Sequence, residues 1–123
     1  MNDKELDAQT ERVRKFVKKW AHIVTHWGWK FEMKYVACFD DMPSGTTSDE
    51  VAMITFPLSA YLRGDIYANL RVCSQLTDDV LEEVVVHELT HLLLAPLVLE
   101  PTSEQAKERT CTILARCILG VNK

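Results

Sequence analysis

The chain has 123 residues, 47% apolar and 26% charged, with a net charge of −4, the composition of an ordinary globular protein with one modest core. Lys and Arg (14) are mixed among Asp and Glu (18), so no broad basic surface is expected and nucleic acid is excluded as the favoured partner. The longest uncharged apolar stretch, Leu89 to Leu99, contains His91 and Pro96 and is too short to span a bilayer, while Asn2, Asp3, Lys4 and Glu5 do not open a signal peptide, so no membrane role is expected.

From Lys4 to Trp27, the residues Leu6, Val13, Phe16, Val17, Trp20, Ile23, Val24 and Trp27 fall on one arc at about 100° per residue, which predicts an amphipathic helix. Gly28 ends it. Trp29, Phe31, Met33 and Tyr35 then alternate with Lys30, Glu32 and Lys34 as a half-buried first strand. Asp40 to Glu50 gathers Asp, Pro, Ser, Gly and Thr without apolar periodicity and reads as a surface loop. Val51 to Phe56, ended by Pro57, predicts a second strand, and the alternation of Ile66, Ala68, Leu70 and Val72 with Asp65, Tyr67, Asn69 and Arg71 predicts a third. Thr77, Asp78 and Asp79 supply a cap and two acidic side chains for a helix N-terminus, so a helix is expected from Asp78 to Leu94. Pro96 and Pro101 punctuate the next segment, after which Thr102 or Ser103 can cap a last helix reaching Leu119, before Gly120.

No repeat or low-complexity tract interrupts this order, and residues 1–123 read as a single α+β domain. Cys38, Cys73, Cys111 and Cys117 form no CxxC pair; buried, reduced thiols in a cytoplasmic protein are expected in preference to a disulfide framework.

The middle helix carries His87-Glu88-Leu89-Thr90-His91, an HExxH motif. Residues four apart on a helix stack on one face, so His87 and His91 can present two imidazoles to one zinc ion. Glu88 sits about 100° round the helix, outside the ligand set but near a water at the metal, which suits a general base. Leu81, Val85, Leu89 and Leu92 cluster opposite the histidines, while Val80, Glu83 and Val84 share their side, giving the helix one core face and one working face. The bland alternative is a helix with two satisfied histidines and a surface Glu.

A catalytic zinc normally takes three protein ligands. No histidine follows His91, and the downstream carboxylates are Glu100, Glu104 and Glu108. Glu100 lies in the Pro-flanked connection, whereas Glu108 shares a helical stripe with Cys111, Ala115 and Leu119 that can approach the middle helix. Glu108 is the expected third ligand, with Glu104 in reserve. His22 and His26 repeat the HxxxH spacing without a following Glu and read as surface residues. Tyr61 and Tyr67 could donate to a developing oxyanion, although packing or edge-strand roles are favoured.

VVVHELTHLLLAPL resembles the minimal zincin metallopeptidases, and KERTCTILARCIL resembles the glutamate-bearing helix of their gluzincin-like branch. The likeness is greatest to small metallopeptidases of phages and bacteria. It implies a zincin-like minimal domain: N-terminal helix, small three-stranded sheet, HExxH helix and C-terminal ligand helix. It also implies Zn2+ on His87, His91 and Glu108, with Glu88 as base. The strand at about Ile66 to Val72 would be an edge that aligns an extended protein or peptide substrate. Third-histidine families such as the metzincins match poorly, and the basic or zinc-ribbon modules of SprT-like proteases are lacking. The leading expectation is therefore a zinc metallopeptidase. Its rivals are a non-catalytic zinc-stabilised protein-binding module, such as a phage protein acting on a host factor, and a hydrolase of nonpeptidic amides or esters.

Overall fold

In the computed structural model, residues 1–46, 48–58, 61–95 and 104–120 are described. Period-two alternation builds a three-stranded sheet from β1 (Lys30–Val36), β2 (Met53–Leu58) and β3 (Arg63–Asn69). Its order is β1-β3-β2, with β1 parallel and β2 antiparallel to β3. Register places Met33, Ile66 and Thr55 side by side, and likewise Tyr35, Ala68 and Met53. This face is buried at Met53, Ile66 and Ala68. Phe56 and Leu58 alternate onto the other face and are exposed.

The helices are α1 (Asp3–Trp20), α2 (His22–Thr25), α3 (Leu70–Ser74), α4 (Asp78–Leu94) and α5 (Glu104–Leu119), so the architecture is mixed α+β. The core joins Val13, Phe16 and Val17 of α1 and Val24 of α2 to the inner sheet face and to Leu81, Val85, Leu89 and Leu92 of α4. Burial of these side chains supplies the main driving force for the arrangement. Asn2 caps α1, accepting from the Glu5 amide at 2.8 Å, and Thr77 caps α4, accepting from the Val80 amide at 3.4 Å. Arg12 then ties α1 to the start of α4: it donates to the Cys73 carbonyl at 2.8 Å, to the Leu76 carbonyl, and to Asp78 at 2.7 Å.

The expected helix over Asp78–Leu94 is α4, and the expected last helix is α5. Four expectations need correction. The N-terminal helix does not continue to Trp27: α1 stops at Trp20, α2 adds one short turn, and Gly28 at φ +90° turns the chain back. Trp27 is consequently 67% exposed. The second strand continues through Pro57, which is paired with Gly64; a strand at the sheet border tolerates the missing amide. The third strand ends at Asn69, whose Oδ1 accepts from the amides of Arg71 and Val72 and starts α3. This strand is also central, paired on both sides, and so offers no edge for a peptide. The borders are β1 and β2.

Candidate metal centre

α4 has apolar side chains nearly all round because it is covered on more than one side. Leu81, Val85, Leu89 and Leu92 face the core cluster, and Val86 and Thr90 are fully buried as well. Thr90 Oγ1 donates to the His87 carbonyl at 2.6 Å and lies 3.5 Å from the Cys111 carbonyl on α5. Cys111 and Ala115 are buried, and their small side chains allow α5 a close approach to α4. Arg116 of α5 adds an ion pair to Glu83 at 3.0 Å.

This approach brings Glu108 to the two histidines. Its Oε2 is 2.9 Å from His87 Nε2 and its Oε1 is 3.0 Å from His91 Nε2, while the two Nε2 atoms are 3.2 Å apart. Zinc–ligand bonds of 2.0–2.1 Å in a tetrahedron set neighbouring donors about 3.3 Å apart, so the spacing fits one small divalent ion. Proton sharing fits less well. Two imidazole N–H groups donating to one carboxylate would face each other with no bond between them, whereas three lone pairs turned toward one cation satisfy every group. Among the described residues, His87, His91 and Glu108 are the group of His, Cys, Asp or Glu side chains able to hold a metal. Thr112, one turn beyond Glu108, places Oγ1 3.4 Å from His87 Nδ1, where it can orient the ring.

Glu88 lies outside this group and is only 8% exposed. Burial pushes its carboxyl up to about 8; a hydrogen bond from Thr55 opposes the shift and the charge of Glu108 adds to it. Thr55 Oγ1 lies 2.5 Å from Glu88 Oε2 and 3.3 Å from the Glu88 carbonyl. A groove of about 350 Å³ passes His87 and Glu88, with Met53 on one side and Val80 and Val84 on the other. It shares Glu50, Val72 and Leu76 with a wider hollow of about 740 Å³ that reaches Phe39 and Asp40. The wider hollow touches none of the three grouped side chains; the smaller groove is the one beside the chemistry.

Glu108, chosen from its stripe, is thus the carboxylate that meets the histidines. Glu104 opens α5, and its side chain, like Glu100, lies outside the described residues. His22 and His26 are exposed. Tyr61 is 73% exposed, and Tyr67 lies edge-on to Phe56 at 5.8 Å on the sheet face turned away from α4, so neither is brought to Glu88. Thr55 and Thr112 escaped sequence reasoning. Thr112 left a signal in its four-residue spacing from Glu108, but Thr55 left none, since only the tertiary fit of β2 to α4 selects it. Among the described residues, no helix is long and apolar enough to cross a membrane, and all four cysteines are free. No known protein family, curated protein or solved structure matches the chain.

Proposed function

We propose that this protein is a zinc-dependent metallopeptidase with a zincin-like minimal fold, in which His87, His91 and Glu108 hold the metal and Glu88 is the general base. One observation carries the reading: three donor groups converge at 2.9–3.2 Å, and one of them, His87, lines a groove together with the buried carboxyl of Glu88. When bound, zinc supplies Lewis acidity, lowering the pKa of water and polarising a carbonyl. Glu88 accepts the proton from water as it attacks the peptide carbonyl and returns it to the departing amine. Thr112 keeps His87 oriented, and the apolar flank of Met53, Val80 and Val84 excludes competing water.

The substrate is a protein or peptide segment lying along the groove, with β2 in place of β3 as the strand beside it. Antiparallel main-chain pairing to such a strand would fix register without demanding one sequence. Four free thiols, two of them buried, suit the reducing cytoplasm. A purely structural zinc site has no use for a base, so the position of Glu88 favours turnover over the binding-module alternative.

The test is bound zinc together with cleavage of a broad peptide library. Glu88→Gln should retain zinc and lose about 100-fold or more in kcat. Glu108→Ala should lose the metal, while Glu104→Ala should keep it. Equal cleavage by wild type and Glu88→Gln would overturn the mechanism. Zinc below about a tenth of stoichiometry in protein purified without chelator would overturn the metal site.

A further inference from the structure

Glu88 reaches the groove from the side of α4 that meets the sheet, and the sheet residue it meets is Thr55. The register of β2 puts Thr55 beside Ile66 on the inner face, where its neighbours along the strand are the buried Met53 and the ring of Pro57. A valine would suit such a surroundings by volume. The hydroxyl instead sits 2.5 Å from Glu88 Oε2 and 3.3 Å from the Glu88 main-chain carbonyl. Among the described residues no buried side-chain oxygen lacks a partner. With Oε2 engaged by Thr55, Oε1 is the oxygen left to the groove that Glu88 lines.

We propose that Thr55 is a positioning residue for the general base: it holds Oε2 of Glu88 so that Oε1 is presented to the substrate. This rests on the hydrolase reading above. A hydroxyl is suited to the task because it donates one hydrogen bond without carrying a charge. Toward a carboxylate it donates to Oε2. When Oε1 takes the proton, Oε2 becomes the carbonyl oxygen of the acid and still accepts from the same hydroxyl. The carboxyl therefore keeps one orientation while a proton moves from water to Oε1 and on to the leaving amine, with no proton retained by Thr55. Serine preserves this bond. Valine preserves the shape and abolishes the bond.

The experiment compares Thr55→Val and Thr55→Ser in the zinc-loaded protein, using the library peptide that wild type cuts fastest. Thr55→Val should lower kcat about tenfold or more, with KM within about twofold and zinc stoichiometry unchanged. Thr55→Ser should stay within about threefold of wild type. A second readout needs no turnover. In metal-free protein, Thr55→Val should lower the folding equilibrium constant about fivefold or more, but less than about twofold in a Glu88→Ala background. Equal effects in both backgrounds, or unaltered kcat in Thr55→Val, would overturn the assignment. If wild type cuts no peptide, the hydrolase reading falls and takes the catalytic consequence of Thr55 with it; a coupled unfolding cycle beside that result would show that the failure lies in the chemistry and not in the contact.

Discussion

Cys73 and Cys117 are both free thiols, but the fold gives them opposite reactivity. Cys117 is exposed on α5, whereas Cys73 is fully buried. Burial pushes the Cys73 thiol from 9.0 to about 11, against the opposing charge of Arg12. Because the thiolate is the nucleophile, a thiol reagent at pH 8 should label Cys117 in native protein and Cys73 only after unfolding. The same shift predicts a pH dependence. Folded Cys73 holds its proton more tightly than unfolded Cys73, so its stabilisation is complete below pH 9 and is lost as pH rises through about 11. Denaturant unfolding at pH 8 and pH 11 should show wild type losing about 2 kcal/mol more than Cys73→Ala; parallel losses would refute the burial argument. At this scale the sequence was most informative where chemistry is local. His87, Glu88 and His91 are related by one helical turn, so their relation survives any tertiary arrangement. Glu108 needed only a guess that α5 faces α4. Thr55 needed the register of β2 and its seat against α4, which spacing along one chain does not contain.

Elements were legible in proportion to how strongly one local force set their ends. Thr77 and the acidic pair after it began α4 where expected because a cap satisfies orphan amides regardless of context. The break after Trp20 was not legible: Ala21 lies at φ −53°, ψ −28°, within helical space, and neither Gly nor Pro marks the stop. Beyond Asn69 the alternation of apolar residues continued into α3, where Leu70 and Cys73 are buried at a spacing a helix also provides. The side-chain cap from Asn69 decided between the two periods. Gly64 offers a test of how the sheet meets α4. A Cβ there would come 2.5 Å from Leu92 Cδ2 and 3.2 Å from the Phe56 carbonyl oxygen. Leu92 is fully buried, so it has little room to yield, and the strand must move off the helix. Gly64→Ala is expected to cost about 1–3 kcal/mol, read by urea unfolding. A change under about 0.5 kcal/mol, the range of ordinary surface substitutions, would mean that the sheet and α4 are less closely joined than described.

At the scale of the whole molecule, the proposed ligands join two helices that hydrophobic packing also joins, so metal binding and folding should be linked. His87 and His91 are fixed on α4, whose opposite side is the core, while Glu108 is brought by α5 with its side chain 56% exposed. A metal bound by the folded chain and released on unfolding stabilises by RT ln(1 + [L]/Kd), about 2.7 kcal/mol at free zinc near 100 times Kd. For a chain of this size that is a rise in Tm of roughly 10 °C. Calorimetry in zinc and after chelation should therefore give two well-separated transitions. Glu108→Ala should abolish the difference while leaving the chelated Tm close to wild type, because an exposed carboxylate contributes little to the metal-free fold. Glu88→Gln should retain the shift, since Glu88 stands outside the donor group. Coincident transitions for wild type with and without zinc would remove the metal from the fold and its proposed chemistry. A shift that survived Glu108→Ala would keep the metal but transfer the third ligand to another residue, and α5 would then be held to α4 without Glu108, through the packing of Cys111 and Ala115, the Thr90 contact and the Arg116–Glu83 ion pair.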